Sequence, residues 1–292
     1  MTQTTNRILV PVGFSEQSIL ALDHAVIYAK KTQAEIVLLS VMEDAGLFAR
    51  LFSSEAEKQM ERLKEETLKQ LDELIEKHKS EGIRMSHMTA SGSVHEEIAE
   101  VAKMLDVTLV VMGTNGKPGN FKKSTLGSNA YRVVNNVKPP VITVNGGVAP
   151  AEPKKIIFPI VLDRRSREKV GTALHYARLF GSEIQIVGVS RSKEEAQKLQ
   201  VSLKQTMTFI AEAGIKVAGE VIREEGKSVA EATLNYADSQ NGDMIIIMEE
   251  GEQGKGLRIF SNDVEKIIYN ANMPVMSVTP SKVMYENQFQ NL

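Results

Sequence analysis

The strongest constraint on the fold of this chain is an internal repeat that covers almost its whole length. The stretch RILVPV at 7–12 is matched by KIIFPI at 155–160. The same spacing along the sequence aligns three further pairs of identical residues: Ala25 with Ala173, Tyr28 with Tyr176 and Ala29 with Ala177. Near the ends of the copies, Pro140-Val141 matches Pro274-Val275. Copies of this size are too long for solenoid repeats and predict two domains.

Each copy alternates short apolar runs with helix-like segments. Runs such as IVLLSV and MIIIM lack the apolar–polar alternation of a half-exposed strand, which predicts strands covered on both faces. Strands that alternate with helices predict a parallel sheet with right-handed crossovers. We therefore predict an α/β fold of two tandem Rossmann-like domains, each a five-stranded parallel sheet sandwiched by about four helices. The predicted domains are 1–147 and 153–292, joined by a Gly/Pro-rich linker.

The patterning places the elements as follows. The predicted strands are 7–12, 35–42, 83–89, 107–112 and 141–145 in the first copy, and 155–161, 183–190, 215–222, 243–248 and 274–278 in the second. The predicted helices are 16–32, 53–81, 94–105 and 127–137, then 165–180, 192–213, 227–240 and 257–271. Ligands of such sheets bind beyond the carboxyl ends of the strands.

Composition narrows the classes of partner. A net charge of −2, 5% aromatic residues and no Trp argue against a nucleic-acid partner. No apolar run approaches the ~20 residues of a membrane span, and residues 1–10 lack a signal-peptide pattern, so no membrane partner is expected. The absence of Cys fits a cytoplasmic location. The histidines lack zinc-site spacing, so no metal site is predicted.

A glycine-rich loop is the most specific functional signal. In VVMGTNGKPGNFKKSTLGSNA, residues 110–130, an apolar strand ends at Gly113 and a helix is re-entered at Gly127-Ser128. A strand, a glycine loop and a helix amino terminus present free backbone N–H groups to a phosphate. Gly113, Gly116 and Gly119 can adopt positive φ and let a ligand come close to the backbone. Ser128 and Asn129 are favourable helix N-caps and can also donate to an anion. A plain connection between strand and helix is the alternative.

The first copy resembles the universal stress protein family over essentially its whole length. The residues that carry the resemblance are ILVPVGFSEQS at 8–18 and MGTNGKPGNFKKSTLGSNAYRVVNNVKPPVITV at 112–144. The whole chain looks like a tandem member whose second copy is more diverged. The resemblance implies a parallel α/β sandwich and pairing of the copies through their last strands, VITV and VMSV. Some members of this family bind ATP, and others do not.

The family's motif is matched with two departures. Its pattern is Gly-x2-Gly-x9-Gly followed by Ser or Thr, whereas 117–126 holds ten residues, one too many, before Gly127. ATP-binding members also carry an Asp after the first strand that contacts adenine, and Gly13 stands in its place. Loss of that acceptor removes a charge-assisted hydrogen bond of about 1.5–3 kcal/mol, which is roughly a ten- to hundredfold loss of affinity.

The resemblance implies an ATP site, with Mg²⁺, in the first domain alone. Its predicted residues are Pro11, Val12, Gly13, Val41, Met112, Gly113, Gly116, Gly127, Ser128 and Asn129. In the second copy, Glu249 and Glu250 replace the start of the motif and would repel a triphosphate. We therefore expect no nucleotide there. Gly226-Lys227-Ser228 lacks the first glycine of a P-loop, and we interpret it as a helix start.

Two functions remain open at this point. The first is a cytoplasmic stress-response protein that binds an adenine nucleotide in its first domain. The second is an interaction or scaffold module without a nucleotide, formed as an intramolecular pseudo-dimer. We predict no catalytic residues because no general base or metal carboxylate accompanies the loop, although slow ATP hydrolysis stays open. Further homo-oligomerisation is also open.

Overall fold

A computed structural model describes residues 6–42, 54–114, 129–160, 166–224, 226–248 and 261–279. The strands are β1 (Arg7–Pro11), β2 (Glu35–Met42), β3 (Met85–Ser91), β4 (Leu109–Gly113), β5 (Val141–Val144), β6 (Lys155–Ile160), β7 (Glu183–Ser190), β8 (Val217–Arg223), β9 (Met244–Met248) and β10 (Val275–Val278). The α-helices are α1 (Glu16–Thr32), α2 (Ser54–Lys77), α3 (Val94–Met104), α4 (Asn129–Asn136), α5 (Ser166–Phe180), α6 (Lys193–Glu212), α7 (Val229–Ser239) and α8 (Ser261–Asn270). A 3₁₀ turn, Lys79–Glu81, follows α2.

All ten strands belong to one sheet, in the order β3-β2-β1-β4-β5-β10-β9-β6-β7-β8. Neighbouring strands within each half are parallel, while β5 and β10 pair antiparallel, with Met276 opposite Ile142. The strand order reverses at β1 and β4 in the first half, and at β6 and β9 in the second. Such switch points are where open α/β sheets bind ligands.

Helices cover both faces of this sheet. Successive residues of a strand point to opposite faces, so in β1 Ile8 and Val10 join one buried cluster while Leu9 joins the other. The first cluster includes residues of α1, α2, α5 and α6, and the second includes residues of α3, α4, α7 and α8. Burial on both faces explains why the strand sequences are continuously apolar.

The two halves also meet through equivalent residues of α1 and α5. Tyr28 and Tyr176, which the repeat superimposes, lie edge to face with ring centroids 6.3 Å apart. Tyr28 makes a second edge contact with Phe180, at 5.3 Å. Contact between equivalent side chains is expected where a twofold pseudo-axis passes between the halves.

The predicted α/β class is confirmed, and the element boundaries lie within a few residues of those expected. Helix α1 has the predicted bounds, whereas β3 ends two residues later, at Ser91, before Gly92 turns the chain at φ 151°. The helix-start interpretation of Gly226-Lys227-Ser228 is also confirmed. Ser228 caps α7 in a capping box with Glu231. No helix in the described ranges is long and apolar enough to cross a bilayer.

Candidate functional site

A cleft of about 200 Å³ lies at the carboxyl ends of the strands in the first half, where β1 and β4 part. It is lined by Pro11, Val12, Gly13, Ser15, Ser18, Leu39, Val41, Val94, Ile98, Met112, Gly113, Asn129 and Ala130. These residues come from the ends of β1, β2 and β4 and from the starts of α1, α3 and α4. The described lining of the cleft therefore comes from strands and helices of one half.

The turn after β1 forms one wall of the cleft. The Val12 amide donates to the Leu39 carbonyl at 2.8 Å, which ties this turn to β2. Ser15 caps α1, its side chain accepting from the Ser18 amide at 3.3 Å. The left-handed backbone of this turn falls on Phe14, with φ 57°. That conformation is costly for a bulky residue and marks a strained turn beside the cleft.

Gly113 is important for the close packing of two elements beside the cleft. Its φ is not positive, so this residue does not use the left-handed conformation that glycine can adopt. A Cβ built on Gly113 would instead lie 2.5 Å from the Gln17 carbonyl oxygen and 2.9 Å from the Ser18 amide nitrogen. The missing side chain lets the first turn of α1 pack directly on the end of β4. This close approach brings Ser15 and Ser18 to the cleft.

Seven of the ten predicted site residues line this cleft: Pro11, Val12, Gly13, Val41, Met112, Gly113 and Asn129. The other three, Gly116, Gly127 and Ser128, lie outside the described residues. Sequence reasoning missed six lining residues: Ser15, Ser18, Leu39, Val94, Ile98 and Ala130. Ser15 carried a usable signal, because an N-cap residue directly after a strand marks a helix amino terminus at the ligand edge.

The chemistry of the lining is apolar with a few polar groups. Val12, Leu39, Ile98 and Met112 are each at most 5% exposed and form an apolar floor. Hydroxyls of Ser15 and Ser18 and the amide of Asn129 are the polar side chains. None of the described lining residues is ionisable, and the part of the chain that the structure describes contains no cluster of three or more metal-ligating side chains. Such a cleft suits a flat, partly apolar ligand held by neutral donors.

The second half contains a buried lysine near the carboxyl end of β6. Lys169 of α5, which the repeat superimposes on Ala21, is 4% exposed. Its ammonium donates to the Pro159 carbonyl and lies 4.4 Å from the centroid of the Phe158 ring. Burial lowers the pKa of Lys169 to about 7. The carbonyl of Pro159, the repeat equivalent of the cleft residue Pro11, is thus bonded by a side chain of the protein itself.

Comparison with known proteins identifies relatives of this chain. The sequence model of the Universal stress protein family matches residues 4–145. The universal stress protein YxiE of Bacillus subtilis is 33% identical over 146 residues, covering 48% of this chain and 98% of the relative.

Solved structures show a similar fold over most of the chain. A universal stress protein from Archaeoglobus fulgidus superimposes with a TM-score of 0.75 at 22% identity, covering 96% of this chain and 98% of that one. Another from Archaeoglobus fulgidus, solved in complex with dAMP, is 16% identical and has a TM-score of 0.37, with 44% of this chain and 99% of that one covered.

Proposed function

This chain belongs to the universal stress protein family, and from that premise we propose that the cleft of its first half binds an adenine nucleotide. The observation that carries the proposal is the convergence of six strand and helix ends on one apolar cleft with neutral polar groups. Adenine is flat and apolar on its faces and carries hydrogen-bonding groups on its edge. Apolar walls with a few convergent polar groups are the usual environment of such a ligand.

We place the phosphates of the nucleotide at the side of the cleft that Gly113 and Asn129 line. Asn129 begins α4, and the first N–H groups of a helix have no partner within the helix. They and the positive end of the helix dipole favour an anion. We propose ATP carried with Mg²⁺ as the ligand. The described lining holds no carboxylate for the metal, so the phosphates themselves would carry it.

We further propose that the second half binds no nucleotide. Lys169 donates to the carbonyl of Pro159, whose equivalent in the first half, Pro11, lines the cleft. A ligand that approached Pro159 would have to displace a side chain that packs against Phe158. The second half would then act as a structural and regulatory partner of the first.

Calorimetric titration with ATP and Mg²⁺ tests these proposals, using a matched pair of variants. Val41→Trp places a large ring in the first cleft and should abolish binding. Val189→Trp makes the same change at the equivalent end of β7 and should leave the affinity unchanged. Wild-type protein that gives no heat and no thermal shift at millimolar ATP would exclude nucleotide binding. Equal losses in both variants would argue against a site confined to the first half.

An interaction module without a nucleotide is the second candidate, favoured by Gly13 and by the antiparallel pairing of β5 with β10. On that view the cleft holds no nucleotide, and titration with ATP separates the two candidates. In either case we propose a binding protein and not an enzyme, because the described cleft lining offers no general acid or base. A phosphate-release assay with ATP tests that point.

A further inference from the structure

The second half contains a larger cavity, with a volume of about 570 Å³, at the amino ends of its strands. Because β6, β7, β8 and β9 run parallel, their amino ends meet at one edge of the sheet. The cavity is formed there, together with the loops that follow α5, α6 and α7. None of its lining residues belongs to the lining of the cleft in the first half.

Charged side chains set the character of this cavity. They comprise four cations and two carboxylates: Lys154, Lys155, Arg178, Lys216, Glu183 and Asp243. The excess of positive charge attracts an anion, because a concave surface of one sign concentrates ions of the other. The described lining includes no aromatic side chain on which a base could stack. The cavity therefore favours a charged ligand without a flat ring.

Both carboxylates are already engaged by groups of the protein. Glu183, whose side chain is 29% exposed, forms ion pairs with Lys216 and with Lys155. The Lys216 ammonium, followed by that of Lys155, holds the pKa of the Glu183 carboxyl below its ordinary value, so Glu183 stays ionised. Oδ2 of Asp243 accepts hydrogen bonds from the backbone amides of Lys154 at 2.9 Å and Lys155 at 2.8 Å. One carboxylate is thus shared by two ammonium groups and the other is bound to the backbone, so the positive charge of the lining is not balanced.

Arg178, near the end of α5, is held by a neutral group. Its Nη2 donates to the Ala213 carbonyl at 3.1 Å. A guanidinium has further N–H donors, in a planar arrangement that can bind two phosphate oxygens at once. The bond to Ala213 therefore positions the guanidinium and leaves its charge for a ligand.

The first half shows what neutralises the equivalent cation. By the repeat, Arg178 corresponds to Lys30, which forms an ion pair with Glu81. Glu81 lies four residues before β3, and Ala213 stands at the same place before β8. The second half therefore keeps the cation and lacks the carboxylate that pairs with it in the first half.

We propose that this cavity binds a small inorganic polyanion of two or three linked phosphates, with Arg178 as its main contact. Lys154 and Lys216, whose side chains are 67% and 84% exposed, can reach such a ligand from the rim. The volume lies within the usual range of small-molecule sites, about 300–1,000 Å³. A chain of phosphates carries several charges at separate positions and can contact cations of different segments together.

The test is calorimetric titration of the full chain with inorganic tripolyphosphate, without Mg²⁺, which would compete for the phosphate oxygens. Wild-type protein should bind this anion, and the affinity should fall as NaCl is raised, because the cations of the rim are exposed to screening. Arg178→Gln should weaken binding about tenfold by removing charge-assisted hydrogen bonds. Lys30→Gln makes the matched change in the first half and should leave the affinity unchanged.

Three results would refute the proposal. No heat with wild-type protein at millimolar tripolyphosphate would show that the cations serve only the carboxyl ends of the surrounding helices. Equal weakening by Arg178→Gln and Lys30→Gln would indicate a general attraction to the charge of the protein. An unchanged affinity in Arg178→Gln would place the anion elsewhere. Lys216→Gln, at an exposed position where folding is not at risk, should weaken binding severalfold and provides a second variant.

ADP separates a free phosphate chain from the phosphates of a nucleotide, which offer the same chemistry. Both are titrated into Val41→Trp, whose first cleft is filled. Tripolyphosphate should bind this variant as tightly as it binds wild-type protein, and ADP should bind at least tenfold more weakly. ADP that bound as tightly as tripolyphosphate would refute the assignment to an inorganic chain. Failure of the nucleotide site in the first half would leave these results unchanged, so the two proposals are tested separately.

Discussion

Substitution of Gly113 by Ala tests how the cleft is built. The added Cβ would lie 2.5 Å from the Gln17 carbonyl oxygen, 2.6 Å from its carbonyl carbon and 2.9 Å from the Ser18 nitrogen. All three are backbone atoms of the first turn of α1, so no flexible side chain can yield. Ordinary contact begins at 3.4 Å, so the first turn of α1 must move away by about 1 Å. Overpacking of this kind destabilises the folded protein.

The magnitude follows from that displacement. Overpacking of this kind costs about 1–3 kcal/mol of unfolding free energy, which urea denaturation followed by circular dichroism resolves at constant m-value. The retreat carries Ser15 and Ser18 away from the cleft, so ATP affinity should fall about tenfold as well. Both effects have one cause, and neither should appear without the other.

Gly146→Ala is the matched control because it faces the same residue. Its Cβ would meet only the end of the Gln17 side chain, at 3.4 Å. We expect a change within about 0.5 kcal/mol and unaltered affinity. If Gly113→Ala proved as stable as Gly146→Ala, the close packing of α1 on β4 would not be what shapes the cleft.

Three further predictions concern charge. Burial lowers the pKa of Lys169 to about 7 from an ordinary value of 10.5. Between these pH values the unfolded chain binds more protons than the folded one, so the free energy of unfolding should rise with pH. Lys169→Met should flatten that rise and increase the free energy of unfolding by about 2 kcal/mol at pH 7. Burial likewise lowers the pKa of His24 below 6.5, so stability should fall as pH drops below 6.5 in urea titrations, and His24→Leu should remove that loss. Gly13→Asp, where a Cβ meets nothing within 4 Å, should tighten ATP roughly ten- to hundredfold in calorimetry by restoring an acceptor for adenine; no gain would place adenine elsewhere.

The sheet was predictable because its strands carry an unambiguous local signal. Residues such as Ile8, Leu9 and Val10 are apolar in succession because each face of β1 meets a separate core. The repeat then predicted which two strands would lie at the ends of the copies. Edge strand β3 is only half-buried along most of its length, which weakened its pattern and shifted its predicted bounds.

The cleft was predictable only in part, for a physical reason. Gly13 follows β1 and Met112 lies near the end of β4, so both could be placed at the ligand edge from the order of elements alone. Ile98 lies inside a helix, four residues beyond its start, and reaches the cleft only through the packing of α3 on the sheet. The purpose of Gly113 was also hidden, because the sequence does not show which backbone approaches a glycine.

The antiparallel pairing of β5 with β10 within one chain determines whether the two halves stay together on dilution. Two separate subunits that paired through these strands would dissociate at low concentration. Here residues 145–154 connect β5 to β6 within one chain, and short tethers of this kind give effective concentrations in the millimolar range. The pairing of β5 with β10 should therefore be independent of protein concentration. The contact between the two halves is a property of each molecule and not of the population.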